Sequence, residues 1–177
     1  MDQNEMRFEL TLEARADRKQ IRSLAAAAAV YLRDAVCEEA DILWPGDITL
    51  GGERVARVER APRDGAIRLF FTVAAPYAAA DLPEKLLAAL RSKAAGFPEN
   101  NAELIQEYTN SCRTVMKYVD TVYRGMPVYG FAFAVDKYGG LMVMTQETRT
   151  VITVYTGRAD IAVDEPQQPD YPLMPRV

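Results

Sequence analysis

The sequence contains no histidine and only two cysteines in 177 residues. The lack of histidine excludes Ser-His-Asp triads, Cys-His dyads and histidine-bound metals, because each of these sites depends on an imidazole. Cys37 and Cys112 are far apart in the chain and form no C-x-x-C pair, so they fit neither a zinc site nor a disulfide framework. We expect both to be buried small hydrophobic side chains, and we predict no metal site.

An excess of positive charge and a long apolar run are also missing. The chain has 21 Lys and Arg against 25 Asp and Glu, a formal net charge of −4. A general nucleic-acid binder needs a basic surface, so we expect no nucleic-acid partner. The longest apolar run, Leu24–Leu32, is too short to span a membrane, and Met1–Glu5 is polar and acidic. These features predict a cytoplasmic protein without a signal peptide or a membrane partner.

Apolar periodicity predicts the first half of the chain as alternating strands and helices. Met6–Glu13 alternates as a half-buried strand does, and Asp17 to about Glu39 has the spacing of a long, alanine-rich amphipathic helix. Further strands and a turn follow: Asp41–Trp44, Ile48–Leu50, Arg54–Arg60, a turn at Pro62–Gly65, and the buried strand Ala66–Ala75.

Two helices come next, one from Asp81 or Leu82 to before Gly96 and one that Asn101 caps and that ends near Cys112. The chain then changes to short β segments, which favour a compact barrel. These segments are Val115–Val122, Val128–Val135, the turn Asp136–Gly140, Leu141–Thr145 and Thr150–Tyr155.

The pattern as a whole predicts an α+β protein, in which a mixed or antiparallel sheet packs with helices and a small β-barrel follows. We expect an α+β domain over residues 1–112 and a barrel over residues 113–163. The proline-rich tail over residues 164–177 is expected to be disordered or draped over the surface.

The run from Leu43 to Arg57 reads Leu-Trp-Pro-Gly-Asp-Ile-Thr-Leu-Gly-Gly-Glu-Arg-Val-Ala-Arg. It resembles the central motif of biotin protein ligases, which reads Lys-Trp-Pro-Asn-Asp, a short hairpin, then Gly-Arg-Lys-Val-Ala-Gly. Nearer the C-terminus, Gly130–Asp136 with Gly140 and Leu141 resembles the glycine, alternating strand, Ile-Asp turn and Gly-x-Leu of that family.

Thr156–Ile161 resembles the family's closing Ser-Gly-Glu-Val-Ser-Leu strand, and the whole resemblance spans roughly Met6 to Ile161. It implies a biotin/lipoate ligase-like domain, truncated at the N-terminus, followed by an SH3-like barrel. Biotin protein ligases make biotinyl-adenylate from biotin and ATP and pass the acyl group to a lysine of a carrier protein. The resemblance thus implies biotin and ATP as cofactors if the activity survives.

The same resemblance implies a biotin carrier or another protein as partner, and a homodimer as an option. It places ligand-binding residues at Trp44, Asp47, Arg54 and Arg57.

The motif also departs from the family at four positions. Leu43 replaces a lysine, Gly46 an asparagine, Arg54 the second lysine and Arg57 the final glycine. Leucine offers no donor, and a planar guanidinium does not replace a compact ammonium where position counts. The family strand that flanks biotin carries a glycine and an asparagine, and Phe70–Pro76 has neither. The family's Gly-Arg-Gly-Arg-x-Gly-Arg loop precedes the first matched strand, so we expect it to be absent, and we predict no catalytic residue.

Four interpretations remain open. We favour a truncated, non-catalytic relative of the ligases that binds a ligand or a partner. The second is an active ligase part that needs a separate N-terminal chain, as split lipoate ligases do. The third is a pure protein-interaction module that docks a partner on its β-rich C-terminal domain. The fourth is an unrelated α+β protein that shares Trp-Pro-x-Asp by chance.

Remaining candidates come from aromatic and basic residues. Tyr138, at a turn of the aromatic-rich C-terminal part, is our candidate for partner binding. Arginines recur every third residue at Arg54, Arg57, Arg60 and Arg63, but this spacing alternates faces on a strand, and we interpret them as a solvated edge. Four cations open the first helix, where they oppose its dipole, and we interpret them as ordinary surface: Arg15, Arg18, Lys19 and Arg22.

Overall fold

The computed structural model describes residues 5–13, 18–63, 66–94 and 101–162. Within these ranges the chain forms three α-helices and two antiparallel sheets of five strands each. This arrangement confirms the α+β class that the sequence predicts.

The first sheet has the strand order β1-β5-β4-β3-β2. Its strands and the helices that accompany it are β1 Glu5–Glu13, α1 Arg18–Val36, β2 Asp41–Leu43, β3 Asp47–Leu50, β4 Glu53–Arg63, β5 Ala66–Ala74, α2 Leu82–Ala94 and α3 Ala102–Ser111. A short 3-10 turn, Ala75–Tyr77, follows β5.

The second sheet has the strand order β10-β6-β7-β8-β9. Its strands are β6 Lys117–Tyr123, β7 Met126–Val135, β8 Leu141–Thr145, β9 Val151–Val154 and β10 Ala159–Ile161. The barrel and the domain boundaries that we expect from the sequence remain predictions.

Burial follows the alternation of the strands. On β5, Ile67, Leu69, Phe71 and Val73 are all buried, while the residues between them are half-buried. Helix α1 packs against β4, α2 and α3, and its central alanines Ala26–Ala29 are buried. Alanine allows the helix to approach the sheet closely, which is the packing role that the sequence indicates for this helix.

Two element boundaries differ from the sequence prediction. Helix α1 ends at Val36 instead of near Glu39, and the expected first residue, Asp17, lies outside the described residues. Strand β4 continues through Pro62, which we had assigned to a turn, and the last pair of the hairpin is Arg63 opposite Ala66.

Two side chains have other roles than we expected. Asn101 makes no side-chain cap on α3; its Nδ2 donates instead to the Lys137 carbonyl oxygen at 2.9 Å. Cys112 is buried as expected, whereas Cys37 is half-buried and its Sγ lies 3.5 Å from a carboxylate oxygen of Glu39.

The turn between β2 and β3 joins the two sheets. Trp44 is buried, its backbone N–H donates to Thr114 Oγ1 at 3.0 Å, and its indole Nε1 donates to the Gly139 carbonyl at 3.0 Å. Tyr108, also buried, donates its hydroxyl to the Pro45 carbonyl at 2.9 Å. The Trp44–Pro45 peptide bond is cis. One short turn thus contacts α3, the segment after α3 and the β7–β8 turn.

We expect Trp44→Phe to lower the free energy of unfolding by about 1–3 kcal/mol, because the Gly139 carbonyl loses its donor. Tyr77→Phe is the matched control, since the described residues provide no hydrogen bond to that hydroxyl, and its effect should stay below about 0.5 kcal/mol. Urea unfolding of both variants measures the difference. Equal effects of the two substitutions would contradict the joining role of Trp44.

Candidate functional site

The outer face of the first sheet carries a cavity of about 400 Å³ over β1, β4 and β5. The antiparallel register builds it, because Thr72 on β5 lies opposite both Arg7 on β1 and Arg57 on β4. The charged residues that line the cavity are Glu5, Arg7, Arg54, Arg57 and Glu59.

Arg57, which lines this cavity, forms an ion pair with Asp47, which lies opposite it on β3. The Arg57 guanidinium donates to both carboxylate oxygens of Asp47, through Nε to Oδ1 and through Nη2 to Oδ2, the latter at 3.0 Å. Arg54 approaches the same carboxylate, with its Nη1 4.0 Å from Oδ1. The hydrogen bond to Asp47 raises the pKa of Arg57 above its usual value. Arg57 therefore stays charged and is held by the carboxylate that the motif supplies.

Three of the four predicted ligand-binding residues thus come together, namely Asp47, Arg54 and Arg57. Trp44 does not join them, since its side chain is buried and binds Gly139. Leu43, the position of the motif's first lysine, lines a different cavity, of about 350 Å³, beside Arg113 and Tyr118.

Gly46 is buried and leaves no room for the asparagine found in the motif. A Cβ at this position would lie 2.7 Å from the Val58 carbonyl oxygen and 2.8 Å from Val58 Cγ1. The two residues are drawn together because the Val58 N–H donates to the Gly46 carbonyl at 2.9 Å. A larger side chain at this position has to push the turn away from β4.

Tyr138 lies in the turn between β7 and β8. Its backbone N–H donates to Asp136 Oδ1 at 2.9 Å, and the ammonium of Lys137 lies 5.1 Å from the centre of its ring. The carbonyl of Lys137 also accepts from Ser23 Oγ on α1, at 3.2 Å. The turn therefore packs on the first half of the molecule, and the role of Tyr138 in partner binding remains a prediction.

Arg60 is the residue that our interpretation of a solvated edge missed. Its Nη2 donates to the Tyr155 carbonyl at 2.5 Å, and burial lowers the pKa of its guanidinium. Arg57 and Arg60 lie on opposite sides of β4, as a spacing of three residues requires. The three-residue spacing predicts that Arg57 and Arg60 lie on opposite sides of β4. It does not indicate which of these sides the second sheet covers.

Two other kinds of feature, a metal site and a membrane-crossing helix, are absent from the described residues. These residues contain no cluster of Cys, Asp or Glu side chains that is arranged to hold a metal ion. None of their helices has the length and apolar composition needed to cross a membrane.

We expect Gly46→Ala to lower the free energy of unfolding by about 1–3 kcal/mol, and Gly46→Asn to lower it at least as much, because either Cβ meets the Val58 backbone. Glu53→Ala, at an exposed position of the following strand, is the control and should be nearly neutral. Thermal and urea unfolding measure the differences. An asparagine accepted without loss of stability would show that the turn does not exclude the residue of the ligase motif.

No protein-family model matches the sequence, and a comparison with curated proteins gave no match. Solved structures do match. A biotin protein ligase from Aquifex aeolicus in complex with biotin and ATP has 12% sequence identity and a TM-score of 0.65, covering 90% of this chain and 78% of that chain.

Two further structures match with similar coverage. A biotin protein ligase-like protein of unknown function from Silicibacter sp. TM1040 has 14% identity and a TM-score of 0.64, covering 88% of this chain and 80% of that one. A biotin acetyl coenzyme A carboxylase synthetase from Helicobacter pylori has 13% identity and a TM-score of 0.54, with 85% and 75% covered. At these identities the likeness concerns the fold alone, and the chain has a biotin protein ligase-like fold.

Proposed function

We propose that this protein is a non-catalytic relative in fold of the biotin protein ligases, and that it acts by binding a ligand or a protein. The observation that carries the proposal is the ion pair of Arg57 with Asp47. Arg57 lies at a position where the ligase motif has a glycine. Its guanidinium forms an ion pair with Asp47, the carboxylate that the motif supplies.

The chemistry of acyl-adenylate formation explains why this ion pair matters. Donors in a ligase must hold the carboxylate of the acid and the phosphates of ATP in line, because positioning and electrostatic stabilisation supply most of the catalysis. On this sheet the arginines that line the cavity are already paired. Arg7 pairs with Glu5 at 2.7 Å, and Arg54 and Arg57 share Asp47. Little positive potential is left for a triphosphate.

Two further positions support the same proposal. Leu43 supplies no donor where the motif has a lysine, and it lines a different cavity from Arg57. Gly46 supplies no amide, and the Val58 backbone excludes one. The charged lining of the cavity also favours a polar ligand over the apolar ring of biotin or lipoate.

We further infer that β6 to β10 correspond to the SH3-like barrel of the ligases. Three of its strands, β8, β9 and β10, have five residues or fewer, and the strand order brings the last strand, β10, next to the first, β6. The domain limits of 1–112 and 113–163 are part of this proposal.

A calorimetric titration of the full chain tests the loss of adenylation chemistry. The ligands are biotin, lipoate, ATP and a non-hydrolysable biotinyl-adenylate mimic, all in one buffer. We expect no binding of the mimic at micromolar strength, which corresponds to about −8 kcal/mol. Asp47→Asn is the internal comparison, because it removes the carboxylate that Arg54 and Arg57 share, leaves Arg57 only the contact with Glu59, and should strengthen the binding of ATP. Micromolar binding of the mimic by the unaltered protein would contradict the proposal and favour the ligase that needs a separate N-terminal chain.

A second candidate function, protein interaction, is favoured by the outer face of the second sheet. The large hydrophobic side chains that are exposed in the described part of the chain all lie in or next to this sheet: Met116, Val122, Met126, Met144 and Val151. The strand register places Tyr118, Phe131, Met144 and Val151 in one row across β6 to β9. The Tyr118 ring lies 5.3 Å from that of Phe131 and 5.7 Å from that of Tyr129. A row of aromatic and apolar side chains of this kind is typical of a partner surface.

Replacing one member of this row tests the interaction. Met144→Glu places a charge on the row, whereas Ala88→Glu places the same charge on an exposed position of α2. A partner isolated on the unaltered protein should bind Met144→Glu at least about tenfold more weakly, since the charge has to be desolvated in the interface. Its affinity for Ala88→Glu should be unchanged. Equal binding by both variants would show that the row is not the partner surface.

A further inference from the structure

A second cavity, of about 280 Å³, lies between helix α1, strand β4 and the segment that follows β9. Arg22 enters it from α1, Arg60 from β4, and Tyr155, Thr156 and Gly157 from the segment between β9 and β10. This cavity lies on the other side of β4 from the one over β1, β4 and β5, because Arg60 and Arg57 lie on opposite sides of that strand, and Glu59 lines both cavities.

The two arginines of this cavity differ in their charge partners from the other arginines that are buried or half-buried in the described residues. Five arginines with described side chains are buried or half-buried, namely Arg22, Arg33, Arg57, Arg60 and Arg68. Three of them form salt bridges: Arg33 with Asp34 and Glu107, Arg57 with Asp47, and Arg68 with Glu9. Within the described ranges, Arg22 and Arg60 have no carboxylate within salt-bridge distance.

Both guanidinium groups contact neutral parts of Tyr155 instead. The Arg60 guanidinium donates to its carbonyl at 2.5 Å, and the Arg22 Cζ lies 3.9 Å from the centre of its ring. Burial is the main cause of the lowered pKa of Arg60, and the nearby positive charge of Arg22 lowers that pKa further. A pair of like charges that is partly removed from water and lacks a counter-charge is unfavourable.

The acidic groups near this cavity have other partners. Asp136 accepts the Tyr155 hydroxyl at Oδ2, at 2.5 Å, and the backbone N–H groups of Tyr138 and Gly140 at Oδ1. Glu59, which also lines the cavity, has an exposed side chain that pairs with Arg57 at 3.5 Å. The counter-charge of Arg22 and Arg60 is therefore missing from the described protein atoms.

We propose that this cavity binds a phosphate-type oxyanion, either inorganic phosphate or the phosphate group of a small monoester, between Arg22 and Arg60. Guanidinium forks match the oxygen spacing of phosphate, and two of them complement its double charge. The cavity is slightly smaller than the roughly 300–1,000 Å³ of pockets for drug-sized ligands, so it suits a small group. This proposal does not depend on the proposed loss of adenylation, because the two arginines that would hold the anion, Arg22 and Arg60, both lie outside the Leu43–Arg57 motif.

Titration of the full chain with inorganic phosphate at constant ionic strength tests the site. We expect saturable binding, with amide NMR shifts that are largest at Tyr155, Thr156 and Gly157. Arg22→Gln and Arg60→Gln should each weaken binding about tenfold or more, since each removes a charged hydrogen-bond partner. Arg68→Gln is the matched control, because this arginine pairs with Glu9 on another strand, and its affinity for phosphate should equal that of the unaltered protein.

Several results would overturn the proposal. The first is the absence of saturable binding of both inorganic phosphate and glycerol 3-phosphate. The second is an equal loss of affinity in Arg68→Gln and Arg60→Gln, which would show a general charge effect. The third is binding of acetate as tight as that of phosphate. If Arg60→Gln does not fold, Arg22→Gln decides the question, because it leaves the hydrogen bond of Arg60 to Tyr155 in place.

Discussion

The architecture depends on the short turn from Trp44 to Gly46. Its groups are bound by residues from four separate parts of the chain: Thr114 and Gly139 at Trp44, Tyr108 at Pro45 and Val58 at Gly46. Such a turn tolerates little change, because each hydrogen bond fixes it against a different element. Together with the hydrogen bonds of Ser23 and Asn101 to Lys137 and of Arg60 to Tyr155, these contacts hold the second sheet against the first half of the molecule.

The same constraint explains how the ligase-like fold can hold a different site. Trp44, Pro45 and Asp47 of the motif serve packing, the turn and an ion pair, and none of these uses requires biotin or ATP. The neighbouring positions carry side chains that differ from those of the ligase motif. Arg57 neutralises Asp47, and the Val58 backbone lies where an asparagine side chain would begin at Gly46. A shared fold thus coexists with a site of different electrostatics, as is common when function resides in side chains.

The sequence predicted the features that arise from local pattern. Alternation over β1 and the alanines of α1 were enough to identify a half-covered sheet and the helix packed on it. Features that depend on distant contacts were not predictable in this way. Asn101 binds the Lys137 carbonyl instead of capping α3, because the β7–β8 turn lies against the start of that helix.

Arg60 shows the same limit at a candidate site. Its spacing from Arg57 indicates opposite faces of one strand, but the packing of α1 and of the second sheet on its side of β4 is what makes Arg60 half-buried. Local sequence carries no record of that docking. The ion pair of Asp47 and Arg57, by contrast, lies within one short hairpin, and the sequence prediction brought both residues to the same site.

The central claim is that this fold no longer activates an acid with ATP. The most direct measurement is the exchange of labelled pyrophosphate into ATP, with the full chain at high concentration and either biotin or lipoate present. Acyl-adenylate formation is reversible, so even a slow adenylating enzyme produces labelled ATP that depends on the added acid. The account predicts that neither biotin nor lipoate raises the rate of pyrophosphate exchange above the rate measured without these acids. Exchange that requires one of these acids and disappears in Asp47→Ala would contradict it.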